Sequence, residues 1–147
     1  MAWKQLQGSG RVRPHVTSNN ELDGLRSAVA RDLKDASLSG LSDDRRFATA
    51  YNAVLQLAKM AIACAGYRVT AQVHHQTTFE ALELAMGKGV DKFASYFEKC
   101  RRKRNTVDYD LANVASRTEA DELLKKAHQF AKLVEQWIAK KHPQLVP

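Results

Sequence analysis

The residues best suited to chemistry lie between Lys99 and Asp110, in the sequence Lys-Cys-Arg-Arg-Lys-Arg-Asn-Thr-Val-Asp-Tyr-Asp. A dense basic run can contact phosphate groups, and the side chains of Asn105 and Tyr109 can hydrogen-bond phosphate or base edges. The run lacks interleaved aromatic residues that would stack on bases, so sequence-specific reading of bases is not predicted. Two interpretations of the basic run are possible: a phosphate-binding surface, or a basic face that is only solvated. The candidate contacts to nucleic acid are Arg101, Arg102, Lys103 and Arg104.

Arg104 is predicted to face inward, unlike its basic neighbours. On a helix that turns about 100° per residue, it falls on the centre line of an upstream apolar stripe. That stripe consists of Val90, Phe93, Phe97 and Cys100, whereas Lys99, Arg102 and Lys103 are predicted to point toward solvent. An inward guanidinium stays charged and needs a carboxylate, backbone carbonyls or an anionic ligand to offset its desolvation. Asp108, one turn further on, would give a structural ion pair with Arg104, and a ligand-binding or formerly catalytic arginine is the alternative.

The remaining polar residues do not form a recognisable metal or nucleotide motif. His74 and His75 are adjacent, but neighbouring side chains point in different directions and no Glu, Asp or Cys follows at ligand spacing. The sequence has no Gly-rich phosphate loop, no His-Glu-x-x-His and no Gly-x-Ser-x-Gly. Nucleoside triphosphatases, zinc proteases and serine hydrolases are therefore disfavoured, and we expect no metal and no cofactor.

The bulk composition fits one small helical domain. The 147 residues include seven Gly and three Pro. The sequence is rich in alanine and has few runs of β-branched residues, which favours an all-α fold. The net charge of +7 favours nucleic acid or acidic partners. No signal-like or membrane-spanning apolar stretch occurs, so we expect a cytoplasmic protein without a membrane partner. Cys64 and Cys100 each lie on an apolar helical stripe, which predicts buried, reduced thiols.

Apolar spacing predicts about five helices that form one up-and-down bundle. The first predicted helix begins near residue 19 or 20 and ends near 39. The second is predicted at 42–65, the third at 73–86, the fourth from 90 through the basic stretch, and the fifth from about 116 to 142. The bundle would occupy residues 19–142 as a single domain. Residues 1–18 are predicted to be a flexible, extended arm, from which Trp3 and Leu6 can dock on the bundle.

Polar residues at the predicted helix starts supply candidate caps, and one helix is predicted to be central. Asn19 or Asn20 would cap the first helix, and Ser42 would cap the second. Ser116 with Glu119, or Thr118 with Asp121, has the spacing of a capping box for the last helix. The second helix carries apolar residues at helical spacing throughout and many alanines, so we expect it to be the central one.

Several segments together are similar to a known family. They are the run Arg45–Ala53, Gly66-Tyr67-Arg68, His74-His75, Arg104-Asn105 with Tyr109-Asp110, and the helix that starts at Glu119-Ala120 and continues through Ala127 and Phe130. Over about residues 42–140 this pattern resembles a HEPN domain. The resemblance implies an all-α bundle and leaves the first helix and the arm as an extension.

The resemblance also implies a function. Active HEPN proteins are metal-independent ribonucleases, often in toxin–antitoxin or defence systems, whose two protomers share a cleft. Their motif is an arginine followed within about two helical turns by a histidine. Arg104 matches the arginine and Asn105 the polar residue that follows, but Tyr109 stands where the histidine is expected. A tyrosine with an ordinary pKa near 10 is a poor general base at neutral pH.

Three hypotheses follow from these residues. The first is a homodimer whose Arg104 cleft binds RNA or a nucleotide without efficient cleavage, with an antitoxin or a nucleotidyltransferase-like protein as a partner. The second is an active ribonuclease in which Arg104, Asn105 and Tyr109 orient the scissile phosphate and a histidine comes from elsewhere. The third is an interaction protein in which Arg104 and Asp108 only lock the bundle.

Overall fold

A computed structural model describes residues 2–70, 74–108 and 112–147, and it describes side chains there except at residues 74, 75, 107 and 108. Helices dominate, with one small sheet. In chain order the elements are α1 (Trp3–Gly8), β1 (Val12–Pro14), α2 (Asn19–Ala36), α3 (Asp43–Cys64), β2 (Tyr67–Val69), α4 (His74–Met86), α5 (Asp91–Asp108) and α6 (Arg117–Lys141). Short 3₁₀ turns lie at Lys88–Val90 and Pro143–Leu145. The prediction of an all-α bundle is confirmed.

Serine side chains cap three of the long helices. Ser42 and Ser116 accept hydrogen bonds from backbone amides three residues ahead, at 3.1 and 3.0 Å, and so satisfy otherwise unpaired N–H groups. Glu119 returns a contact by accepting from the backbone N–H of Ser116, which completes the predicted capping box. The prediction that Asn19 or Asn20 caps α2 is wrong by one residue, because Ser18 does so.

Helix α3 is the centre of the bundle, as predicted. It packs against α2, α4, α5 and α6, and against β2. Thirteen of its 22 residues are buried, so most of its circumference is covered by neighbours. Of the other nine, Asp43, Asp44 and Arg46 lie in the first turn. The remaining six form a narrow stripe along one side and are Arg45, Ala48, Thr49, Asn52, Gln56 and Lys59.

An aromatic cluster fixes how α5 is rotated against the rest of the bundle. Phe97 is fully buried, and its ring lies 5.0 Å from that of Phe130 on α6 and 6.0 Å from that of Phe79 on α4, between ring centroids. Phe93 contacts both Phe97 and Phe130 from one turn earlier. Such aromatic pairs are stabilising beyond the area they bury. With this face turned inward, residues at positions 100 and 104 must also face α3 or α6.

The N-terminal segment is more regular than its composition predicts. Residues 3–8 form α1 and residues 12–14 form β1, which pairs with β2 in antiparallel register. Leu6 is fully buried, and the Trp3 ring stacks on Tyr67 with centroids 4.2 Å apart, so the expected docking of both residues is confirmed. The domain limits at residues 19 and 142 stay a prediction. None of the described helices is both long and apolar enough to cross a bilayer.

Candidate functional site

Arg104 lies in the second half of α5, and its guanidinium is directed at α3. Its Nη2 donates to Oδ1 of Asn52 at 3.4 Å, and its Cζ lies 5.8 Å from the centroid of the Tyr51 ring. The side chain is half-buried. A guanidinium over an aromatic face is attracted by the ring quadrupole and is held in one plane. The helical spacing that placed Arg104 on the inner stripe therefore agrees with the direction the side chain takes.

Tyr51 provides a rigid floor under this guanidinium. Its side chain is fully buried, and its ring meets Phe79 edge to face with centroids 6.2 Å apart. Burial raises the pKa of Tyr51 well above its ordinary value, and the nearby charge of Arg104 opposes this shift only in part. The phenol is therefore neutral at physiological pH. It can position Arg104 but cannot act as a base there.

Two of the other basic residues in the run lie beside Glu98, one turn earlier on the same helix. Arg101 donates two hydrogen bonds to that carboxylate, each at 2.8 Å, and these contacts raise its pKa. Arg102 approaches the same carboxylate only to 3.6 Å, and 74% of its side chain is exposed. Arg102 therefore presents a largely solvated charge, as predicted, whereas the charge of Arg101 is already offset.

Lys103 does not point into solvent, contrary to the prediction. Its Nζ lies 2.7 Å from Oε2 of Glu119 and 3.3 Å from the backbone oxygen of Val114. The long aliphatic stem lets the ammonium reach across to the first turn of α6, a path that a helical wheel does not show. Lys103 thus joins α5 to the capping box of α6 and is not a free phosphate contact.

Asp44 holds the chain segment that leads into α6. One carboxylate oxygen accepts from the backbone N–H of Asn113 at 2.7 Å, and the other accepts from that of Ala115 at 2.8 Å. Asn113 has a φ of 59°, in the left-handed region that asparagine tolerates. Asp44 also lies in the first turn of α3, where the helix dipole favours negative charge. No local signal in the sequence links it to residues 69 and 71 positions away.

Several predicted site residues lie outside the part that the structure describes. These are Tyr109 and Asp110, together with the side chains of Asp108, His74 and His75. The Arg104–Asp108 ion pair and the role of Tyr109 therefore stay predictions. Asn105 is half-buried next to Arg104. Within the described residues, His, Cys, Asp and Glu side chains do not cluster in groups of three that could hold a metal ion.

The comparison with protein families covers this whole arrangement. A family model described as HEPN_SAV_6107-like HEPN matches residues 39–135, about two-thirds of the chain. The match includes the residues described above around Arg104, from Asp44 on α3 to Glu119 on α6. No curated protein and no solved structure matches the chain significantly. With a helical bundle in place and the family model spanning its core, the chain belongs to the SAV_6107-like HEPN family.

Proposed function

We propose that this protein binds RNA or a nucleotide through a surface centred on Arg104, shared by two copies of the chain, without efficient cleavage. The observation that carries the proposal is the position of Arg104. Its half-buried guanidinium rests on a fully buried aromatic ring and touches the amide of Asn52. A planar donor held in advance loses little entropy when it binds a phosphate.

Arg102 supplies a second cation, on the outer side of α5. It lies two residues before Arg104, a spacing that turns the two side chains about 160° apart on a helix, so an RNA strand would have to pass around α5 to contact both. The side chain of Arg102 is 74% exposed and approaches Glu98 only to 3.6 Å. Exposed arginines of this kind contribute the salt-dependent part of nucleic-acid affinity, because each phosphate contact releases counterions. Arg101 and Lys103 are held by Glu98 and Glu119 and would position the helix more than they bind.

Pairing of two copies is supported by the surface beside Arg104. The exposed stripe of α3 is uncharged along its middle, where Ala48, Thr49, Asn52 and Gln56 are each half-buried. Neutral side chains on an otherwise buried helix, with the small Ala48 and Thr49 among them, allow another helix to approach closely. Membership of the HEPN family also supports a homodimer, since active members build a shared cleft.

The biological setting rests on the family alone. HEPN proteins commonly belong to toxin–antitoxin or defence modules, so an antitoxin or a nucleotidyltransferase-like protein is the proposed partner. Co-purification of the tagged chain with the product of its neighbouring gene tests this part. Recovery of the chain without that product would contradict the proposed partner and would leave RNA binding intact.

RNA retention at several salt concentrations tests the site itself. We expect Arg104→Ala and Arg102→Ala each to weaken retention of a labelled single-stranded RNA and to lower the slope of log affinity against log salt by about one. Arg31→Ala is the matched control, because Arg31 is an exposed arginine with an acidic neighbour on α2. Thermal unfolding of each variant separates lost contacts from lost folding. Equal retention by all four proteins would overturn the proposal.

The same preparation measures cleavage. Labelled total RNA incubated in EDTA with the unaltered protein or with Arg104→Ala should stay intact in both cases, because the family histidine is replaced in this sequence. Cleavage by the unaltered protein that disappears in Arg104→Ala would instead identify a metal-independent ribonuclease that uses a histidine from another segment.

A further inference from the structure

A cavity of about 520 Å³ lies at the other end of α3, where the two-stranded sheet meets α2 and α3. Its walls come from both strands, from the first turns of α2 and from the last turns of α3. Lys59 and Ile62 line it from α3, Leu25 from α2, and Arg13 and Arg68 from the strands. The volume is in the range of sites for small ligands. Along α3, Lys59 is seven residues from Asn52, about 10 Å, so this cavity is distinct from the Arg104 surface.

Three cations around the cavity make no close ion pair with any acidic residue that the structure describes. Arg13 and Arg68 are directly opposite each other in the β1–β2 register, an arrangement that is unfavourable for like charges. Among the residues that the structure describes, neither they nor Lys59 form an ion pair. Several other arginines do form ion pairs, as Arg26 does with Glu135 at 2.7 Å. The cavity therefore concentrates three positive charges, which Glu21 in the same lining offsets only in part.

Glu21 is the carboxylate among the described residues that line the cavity, and its oxygens already have partners. Glu21 accepts a hydrogen bond from Thr17 at 2.6 Å and lies 2.9 Å from Nε2 of His15. Burial alone would raise the pKa of Glu21, but these two contacts, with a smaller effect of Arg68, lower it. Burial and the charge of Arg68 also lower the pKa of Lys59. Positive charge is thus unfavourable here without a ligand, and a bound anion would relieve it.

Apolar side chains form much of the remaining wall, which also includes Thr70. Leu25, Ile62 and Ala63 form one side, and the ring of Tyr67 forms another. Trp3 stacks on Tyr67 with an interplanar angle of 5°, which fixes that ring. Inorganic phosphate would leave this apolar surface exposed to water, whereas a ligand that also carries a flat, weakly polar ring system would bury it.

We propose that this cavity binds a small phosphate-bearing ligand of the mononucleotide class, with its phosphate between Arg13 and Arg68 and its base against the wall of Leu25 and Ile62. Lys59 adds a third positive charge on the α3 side. The site does not depend on Arg104 or on pairing of two copies. A polynucleotide is less suited, because the apolar wall accommodates a single flat body.

Calorimetric titration of the full chain with AMP, adenosine and inorganic phosphate tests this site. We expect saturable binding of AMP, and binding of adenosine and of inorganic phosphate that is at least tenfold weaker. Arg13→Gln and Arg68→Gln should each weaken AMP binding five- to tenfold. Lys125→Gln, an exposed lysine on α6, is the matched control and should bind AMP as the unaltered protein does.

Three results would overturn the proposal. The first is the absence of saturable AMP binding. The second is AMP binding in Arg13→Gln and Arg68→Gln that is as tight as in the unaltered protein. The third is binding of inorganic phosphate that is as tight as that of AMP. Loss of single-stranded RNA retention in Arg13→Gln and Arg68→Gln, with no AMP binding, would assign these cations to a polynucleotide instead. Both arginines are exposed, so these substitutions should leave the thermal unfolding midpoint nearly unchanged.

Discussion

Within one turn of α5, basic side chains of similar chemistry receive different roles from the surfaces they meet. Arg102 is solvated, Lys103 bridges to α6, and Arg104 lies on the ring of Tyr51. Position on the helix decides which surface each one reaches, and side-chain length decides how far it extends. Substitutions in this run therefore have different effects. Replacing Arg102 removes mainly a charge, whereas replacing Lys103 or Arg104 also removes a contact with another helix.

The two thiols provide a test of burial at the same scale. Cys64 and Cys100 are both free and buried, as predicted, and burial raises their pKa to about 11 and about 12. At pH 8 only on the order of one thiol in a thousand or fewer would be ionised, and the thiolate is the reactive form. We therefore expect Ellman's reagent to react with neither cysteine in the folded protein, and with both in guanidinium. Rapid reaction of one thiol in the folded protein would contradict the packing described for it.

Predictions for single residues succeeded where the helical period fixes the direction of a side chain. They failed where a side chain contacts residues that are distant in the sequence. The inward direction of Arg104 follows from its spacing to Phe97 and Cys100, because the helical period alone fixes it. The contact of Lys103 with Glu119 depends on how two helices are placed in space, which no local pattern contains. The same is true of Asp44, whose two hydrogen bonds reach backbone groups that are 69 and 71 residues away.

At the scale of elements, helices were easier to predict than the sheet. The long helices carry caps and apolar spacing over many turns, so several signals agree. Each strand has only three residues, too few for an alternating pattern to be recognised, and a proline such as Pro14 is typical of a loop. Pairing with β2 orders β1, so the regular structure in residues 2–18 follows from tertiary contacts that their composition does not contain.

The contact between Lys103 on α5 and Glu119 on α6 should make the free energy of unfolding depend on pH. The hydrogen bond from Lys103 and that from the backbone of Ser116 lower the pKa of Glu119. A lowered pKa stabilises the fold above the unfolded value of about 4.5, and this stabilisation is lost as pH falls through the folded value. In Glu119→Gln the free energy of unfolding should therefore change less between pH 5 and pH 3. The difference should be at most about 1 kcal/mol, because the carboxylate is 42% exposed.

Lys103→Gln is the matched control for this contact. It removes the main cause of the shift, so its pH profile should move in the same direction as that of Glu119→Gln. The double variant should add little to either single change, since both remove the same contact. Denaturant unfolding at a series of pH values measures all four proteins. An unaltered pH profile in Glu119→Gln would show that the contact with Lys103 does not stabilise the fold.

At the scale of the whole molecule, arginines fasten the outer helices around α3. Arg26 on α2 contacts Glu135 on α6 at 2.7 Å and the backbone oxygen of Leu145 at 2.7 Å. Arg46 donates to the backbone oxygen of Ala36 at 3.0 Å, so it closes the end of α2 against the start of α3. These contacts join α2 to α6 and to α3, and among the described residues they leave the stripe from Ala48 to Gln56 at the surface.

That uncovered stripe decides whether the functional unit is one chain or two. If a second copy covers it, folding and association are linked, and the unfolding midpoint must rise with protein concentration. A tenfold increase in concentration would stabilise a dimer by about 1.4 kcal/mol, a shift of a few degrees for a domain of this size. Gln56→Arg places a charge in the middle of the stripe and should remove the dependence, whereas Gln129→Arg, the same change on the exposed face of α6, should keep it. A midpoint independent of concentration in the unaltered protein would show that Arg104 acts in a single chain, because its contacts with Tyr51 and Asn52 need no second copy.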